Sequence, residues 1–114
     1  MITELHADLP VDDFDTAYAW YQIFFSRRAD SRPQDGEALW QVAGGGWISL
    51  VSNAERSGSA RVTMLVDSLE DHVGHLAMRG IAPESVETVP GGVRRATMLD
   101  PAGNTITISE RPPI

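Results

Sequence analysis

The sequence contains an internal repeat, and this repeat restricts the possible folds more than any other feature. The segments Val-Asp-Asp-Phe-Asp at 11–15 and Val-Asp-Ser-Leu-Glu at 66–70 lie 55 residues apart and share a pattern of valine, aspartate, polar, apolar and acidic residues. Each segment follows a strand-like alternation and opens a stretch with apolar residues at helical spacing. The chain is therefore predicted to contain two copies of one structural module.

The first half of the chain is predicted to have the element order β-α-β-β-β. Alternation over 2–11 predicts a strand, in which Pro10 favours an edge position or a bulge. The helix predicted over about 13–25 has four apolar or aromatic residues on one face: Phe14, Ala17, Tyr21 and Phe24. Turn-forming sequences separate three further predicted strands, which lie near 27–32, 37–43 and 46–52.

The second half repeats this order after a small, polar linker. A strand is predicted at 61–66 and a helix over 67–80, with Gly80 as its C-terminal stop. The last three predicted strands lie near 84–89, 92–99 and 104–110. We therefore expect a single domain over 1–114, with one module at about 1–53, a linker at about 54–60 and the other module at about 61–114.

Composition excludes several classes of protein. A chain of 114 residues with 42% apolar residues is long enough to bury a core, and its formal charge of −7 argues against binding to nucleic acid. The sequence has no cysteine, which excludes a thiolate nucleophile or a cysteine-based metal site. No apolar run reaches the length of a membrane span, and the N-terminus lacks a signal-peptide pattern. A soluble, cytoplasmic protein is the expectation.

The tandem modules, the acidic helix starts and the turn Asp-Pro-Ala-Gly-Asn at 100–104 resemble the vicinal oxygen chelate superfamily. This superfamily includes glyoxalase I, extradiol dioxygenases, fosfomycin-resistance enzymes and bleomycin-resistance proteins. The resemblance implies an α+β fold, in which tandem βαβββ modules form a curled mixed sheet around a cleft and the helices lie outside. It also implies that metal-dependent relatives take their ligands from the first and last strands of each module.

The resemblance places the four metal-ligand positions at His6, Ser49, Arg61 and Thr107. Imidazole is a common metal ligand, but the two hydroxyl groups are poor ligands for a divalent metal, and the guanidinium of Arg61 stays protonated and repels one. We therefore expect no metal and no cofactor. His72 and His75 are three residues apart on the second predicted helix, where a solvent-exposed or packing role is favoured over a metal site.

Some of these polar residues are also candidates for direct ligand contact. His6 is a candidate general base, with Asp8 on the same strand face as its candidate partner, but a lone polar residue that lines the cleft is the favoured interpretation. Arg95 and Thr97 share a face of the strand predicted over 92–99. Arg61 and Arg95 suit a carboxylate or a phosphate, and the alternative is that they neutralise nearby acids.

Two tryptophans complete the candidate ligand site. Trp40 and Trp47 flank the turn at 42–46, and Trp47 shares its strand parity with Ser49. Flat aromatic side chains suit a planar or sugar-bearing ligand, and packing in the core is the alternative.

The sequence thus predicts a metal-free protein that binds and sequesters a small organic molecule, with no firmly assigned catalytic residue. The expected partners are this ligand and a second copy of the chain in a homodimer, and neither nucleic acid nor a membrane. One alternative is a metal-dependent lyase, isomerase or dioxygenase that uses His6. The other is a metal-free enzyme with His6 as general base.

Overall fold

The computed structural model describes residues 1–111, in which two helices and seven strands form two compact units. Unit 1 consists of Met1–Ala60 together with Asp100–Asn104, and unit 2 consists of Arg61–Leu99 and the residues from Thr105 onward. Each unit has one sheet with both parallel and antiparallel pairs. The predicted α+β class is therefore confirmed.

Unit 1 contains β1 (Leu5–Val11), α1 (Phe14–Phe25), β2 (Glu37–Ala43) and β3 (Gly46–Ser52). The strand order is β1-β3-β2, with β1 parallel and β2 antiparallel to the central strand β3. β1 is an edge strand, as Pro10 predicts, because proline has no N–H to donate to a second neighbour.

The strand predicted near 27–32 is wrong. This segment makes a single antiparallel bridge, between Ser31 and Leu39. The helix ends with Ser26 in a left-handed conformation at φ 58°, so the chain turns instead of extending into a strand. Arg27 and Asp30 then bond to the backbone of Gln41 through their side chains, which holds the segment against β2 without a ladder.

Unit 2 contains β4 (Arg61–Val66), α2 (Leu69–Met78), β5 (Ser85–Thr88), β6 (Arg94–Leu99) and β7 (Thr105–Glu110). This is the predicted β-α-β-β-β order. The strand order is β4-β7-β6-β5, with β4 and β7 parallel and the other pairs antiparallel.

The two helix starts show that the repeat extends to single hydrogen bonds. Asp13 and Ser68, which are 55 residues apart, are both extended N-cap residues. Asp13 accepts a hydrogen bond from the backbone N–H of Thr16, and Ser68 accepts one from that of Asp71, both at 3.2 Å. Each bond satisfies a donor that the first helical turn leaves free. The bonds from Thr16 also lower the pKa of Asp13.

Each sheet buries one face beneath its helix. In unit 1 the helix contributes Ala17, Tyr21 and Phe24, and the strands contribute Leu9, Val11, Ala38, Trp40, Ile48 and Leu50. In unit 2 the helix contributes Leu69 and Leu76, and the strands contribute Ala96, Met98, Ile106 and Ile108. Full burial of a side chain such as leucine contributes about 1.5–3 kcal/mol, so these sets are the main source of stability.

The turn at 100–104 does more than reverse the chain, because it packs as part of unit 1. The carboxylate of Asp100 is 4% exposed, and its Oδ2 accepts a 2.6 Å hydrogen bond from the phenol of Tyr21. Its Oδ1 accepts from the backbone N–H groups of Ala102 and Asn104, both at 2.9 Å. The buried Asn104 amide donates to both Asp100 and the carbonyl of Pro10. Among residues 1–111 the aspartate is thus paired by several donors and has no cationic partner.

A Tyr21→Phe variant tests this buried network. It leaves Asp100 with one donor fewer, so we expect the free energy of unfolding to fall by about 1.5–3 kcal/mol, as for a hydrogen bond to a charged group. Chemical denaturation at pH 7 measures the loss. Tyr18→Phe is the matched control, because the Tyr18 oxygen makes only a 3.4 Å contact with the N–H of Ala29.

The pH dependence of stability, compared between the wild-type protein and Tyr21→Phe, tests the same network. Burial and the neighbouring Asp100 carboxylate raise the pKa of Tyr21. Above about pH 10 the unfolded chain loses this phenolic proton while the folded chain keeps it, so stability declines as pH rises. The decline should be steeper in the wild-type protein than in Tyr21→Phe. Parallel slopes above pH 10 would contradict the assignment.

Candidate functional site

The face of the unit 1 sheet opposite α1 carries four of the nine residues that were predicted to contact a ligand. In register, His6 lies beside Trp47 and Asp8 beside Ser49, while β2 adds Leu39 and Gln41. We call these six positions the His6 face. The alternation of a strand explains the arrangement, since Leu9 and Val11 point to the helix side and the even-numbered residues between Leu5 and Leu9 point away.

Both ring nitrogens of His6 have hydrogen-bond partners. Nδ1 lies 3.2 Å from Oγ of Ser49, and Nε2 lies 3.3 Å from Oε1 of Glu4. The ring also stacks on Trp47, with centroids 5.8 Å apart and planes 9° apart. Asp8, the predicted partner of His6, shares the face, but the observed partners are Ser49 and Glu4. The sequence pattern could have identified Glu4 as well. Glu4 lies two residues before His6 and Asp8 lies two residues after it, so in a regular strand both would share its face.

Ser49 and Trp47, two residues of the His6 face, differ in whether their side-chain polar atoms have hydrogen-bond partners. Ser49 is 5% exposed and has the imidazole as its side-chain partner. The indole Nε1 of Trp47 is buried and has no hydrogen-bond partner among residues 1–111. A buried donor without a partner costs about 1–3 kcal/mol, so an indole at this position is not explained by stability alone.

The prediction that Trp40 contacts a ligand is wrong. Trp40 pairs with Ile48 on the helix side of the sheet and has none of its surface exposed. Its ring lies 5.2–6.1 Å from those of Tyr18, Tyr21 and Phe25, and its Nε1 donates to the carbonyl of Arg27 at 3.2 Å. Trp40 is therefore a core residue with a satisfied polar atom.

Unit 2 carries the other candidate residues on one face of its own sheet. Thr107 on β7 pairs with Thr97 on β6, and the same face holds Arg61 opposite Thr105 and Arg95 opposite Ser109. Arg95 and Thr97 thus share a face, as predicted. Both arginines are exposed.

The two arginines of unit 2 offer separate binding groups. Their partners on β7 are four residues apart, which corresponds to about 13 Å along the strand. Neither guanidinium lies within 4.0 Å of a carboxylate in the part of the chain that the structure describes. Each therefore retains its paired N–H donors for an anionic group.

The positions that correspond to metal ligands do not fit a divalent metal. His6 already has both nitrogens engaged, Ser49 and Thr107 offer neutral hydroxyl groups, and Arg61 offers only donors. Within residues 1–111, no group of three or more His, Cys, Asp or Glu side chains is placed to hold a metal ion.

On α2, burial and the positive charge of Arg79 lower the pKa of His72, with a smaller contribution from His75.

Comparison with solved structures identifies the family. A glyoxalase/bleomycin resistance protein from Catenulispora acidiphila is 33% identical, covers 97% of this chain and 100% of its own, and superimposes with a TM-score of 0.91. The chain belongs to the glyoxalase/bleomycin resistance protein family of the vicinal oxygen chelate superfamily. The predicted resemblance is therefore confirmed.

Two more distant structures share the fold. Lactoylglutathione lyase from Agrobacterium tumefaciens is 21% identical, with coverage of 93% and 91% and a TM-score of 0.74. A bleomycin-binding protein, solved in complex with bleomycin, is 17% identical, with coverage of 96% and 99% and a TM-score of 0.78. Searches against protein-family models and against curated protein sequences gave no match. Neither helix in residues 1–111 is long and apolar enough to span a membrane.

Paired tryptophan variants test the division between core and site in this family member. Trp40→Phe loses the bond to Arg27 and part of a fully buried ring, so we expect unfolding to become about 1–3 kcal/mol easier. Trp47→Phe removes a donor that has no partner, so its cost should be less than about 1 kcal/mol. Denaturation curves measure both. Equal losses would contradict the assignment of Trp40 to the core and Trp47 to the site.

Proposed function

We propose that the protein binds a small organic molecule on the His6 face without a metal ion, by stacking a planar group of the ligand against Trp47. The observation that carries this proposal is the stacked pair of Trp47 and the partly exposed His6, next to the hydrogen-bonding groups of Ser49 and Glu4. Aromatic area combined with a few directional polar groups is the usual composition of a ligand site.

The charge of this surface favours a neutral or cationic ligand. Glu4 and Asp8 are both exposed, and the His6 face contains no lysine or arginine. A cation beside the face of an indole gains electrostatic attraction from the ring. The formal charge of −7 on the whole chain acts in the same direction at longer range.

Unit 2 is proposed to contact anionic groups. Arg61, Arg95, Thr97 and Thr107 share its polar face and can donate hydrogen bonds to a carboxylate or phosphate.

The bleomycin-binding neighbour supports binding of a small molecule by this fold. We propose by analogy that antibiotic sequestration, and hence resistance, is the biological role. We also propose that the protein is a cytoplasmic homodimer; exposed apolar side chains in unit 1, among them Ile2 and Leu5, support self-association.

Titration with planar probes tests the binding proposal. Bleomycin and N-methylquinolinium are added separately while tryptophan fluorescence and the heat of binding are recorded. We expect at least one probe to bind, and Trp47→Ala to weaken it about tenfold or more through loss of the stacking surface. Trp20→Phe is the control, because Trp20 lies on α1 and stacks on Phe24. Equal affinity in wild type and Trp47→Ala would refute the proposed site.

Metal analysis tests the metal-dependent alternative. The purified protein is dialysed against nickel, zinc, manganese or ferrous ion and then desalted, and the retained metal is quantified. Because His6 is the only metal-binding side chain at the four family positions, we expect less than one equivalent, with the same content in His6→Ala. One equivalent of metal that disappears in His6→Ala would establish the metal-dependent enzyme instead.

The metal-free enzyme is the second candidate, and a specific observation favours it. His6 has an oriented carboxylate partner in Glu4, which is the arrangement that a general base requires. Mass analysis of a bound ligand after release distinguishes the candidates, since sequestration returns the ligand chemically unchanged.

A further inference from the structure

We propose that Ser49 is a nucleophile that accepts the acyl group of a small aryl ester, with His6 as its general base and Glu4 as the residue that orients the imidazole. This inference goes beyond ligand binding. It rests on the proposed function in one respect, because the aryl group of the ester would occupy the stacking surface beside Trp47.

The hydrogen bonds form a continuous serine–histidine–carboxylate sequence. Oγ of Ser49 lies 3.2 Å from Nδ1 of His6, and Nε2 of His6 lies 3.3 Å from Oε1 of Glu4. One neutral tautomer satisfies both contacts: with the proton on Nε2, the imidazole donates to the carboxylate while Nδ1 accepts from the hydroxyl. A nucleophile bonded to a base, with the base oriented by a third group, is the general pattern of an activated serine.

The sheet fixes the relative position of the serine and the histidine. Ser49 lies on the central strand β3, which is paired on both sides, and His6 lies on the parallel neighbour β1. The ring of Trp47 stacks on the imidazole with planes 9° apart, so the plane of His6 is also constrained. Trp47 is therefore a positioning residue for the base as well as a surface for the ligand.

The three groups differ in solvent exposure, which increases from Ser49 to His6 and then to Glu4. Ser49 is 5% exposed, whereas the side chains of His6 and Glu4 are 36% and 52% exposed. Ser49 is thus the most buried of the three groups, and the imidazole of His6 is open to the water that the second half of the reaction uses. Among residues 1–111, no other serine hydroxyl is hydrogen-bonded to a histidine ring, so the remaining serines serve as controls.

The reaction balances with water as the only co-reactant. The Ser49 oxygen forms a bond to the ester carbonyl carbon as its proton moves to Nδ1 of His6. The bond from that carbon to the aryl oxygen then breaks, and the phenol leaves with the proton from His6. Water then attacks the carbonyl carbon of the acyl-serine as His6 takes its proton. The bond from that carbon to the Ser49 oxygen breaks, and His6 returns the proton to this oxygen, which releases the carboxylic acid and free Ser49.

Covalent labelling tests the nucleophile directly. The full chain is incubated with diisopropyl fluorophosphate, in which the serine oxygen displaces fluoride from phosphorus, and adducts are located by peptide mass analysis. We expect one adduct at Ser49, absent in Ser49→Ala, and formed roughly 100-fold more slowly in His6→Ala. In parallel, p-nitrophenyl acetate should give a burst of one equivalent of p-nitrophenol in the wild type.

Two further variants separate catalysis from structure. Glu4→Gln should slow labelling without changing the thermal melting temperature, since Glu4 is exposed and acts through His6. Ser52→Ala, which replaces an exposed serine of the same strand, should leave labelling unchanged. No adduct on correctly folded wild type, an adduct at another serine, or equal rates in His6→Ala would overturn the proposal.

The binding titration shows which proposal has failed. Probe binding without labelling overturns the nucleophile alone. Labelling at Ser49 without probe binding overturns the stacking site, and with it the aryl part of the substrate.

Discussion

The parallel pairing of β1 with β3 is the constraint on which the proposed site depends. It brings His6 beside Trp47 and Asp8 beside Ser49 across 41 residues of sequence, and it sends Leu9 and Leu50 together to the helix side. A shift by one residue would exchange the two faces, burying the imidazole and exposing the leucines. Burial of the apolar residues therefore also fixes the arrangement of the polar ones.

The buried hydrogen bonds of Asp100 show that the turn at 100–104 also connects distant parts of the chain. The sequence predicts a turn from Asp, Pro, Gly and Asn, each for a local conformational reason. The structure adds that the Asp100 carboxylate is satisfied by Tyr21 of α1 and that Asn104 bonds to Pro10 of β1. These partners lie 79 and 94 residues away in sequence, so local turn chemistry carries no information about them.

The repeat predicted most of the fold because both copies preserve the features that start a helix and separate strands. The exception, the strand near 27–32, failed where Ser26 takes a left-handed conformation and side chains replace the ladder. Within the site, strand parity correctly grouped His6, Asp8, Trp47 and Ser49. Parity could not place Trp40, because that position depends on the register of the β2–β3 hairpin, which contains an irregularity between Gln41 and Ala43.

A crystal structure of the protein grown with N-methylquinolinium and zinc ions would test the central claim most directly, because it reports ligand stacking and metal coordination together. The account predicts that the planar ring lies against Trp47 on the His6 face and that no zinc ion is bound by His6. Zinc coordinated by His6, or a probe ordered elsewhere with Trp47 free, would contradict it.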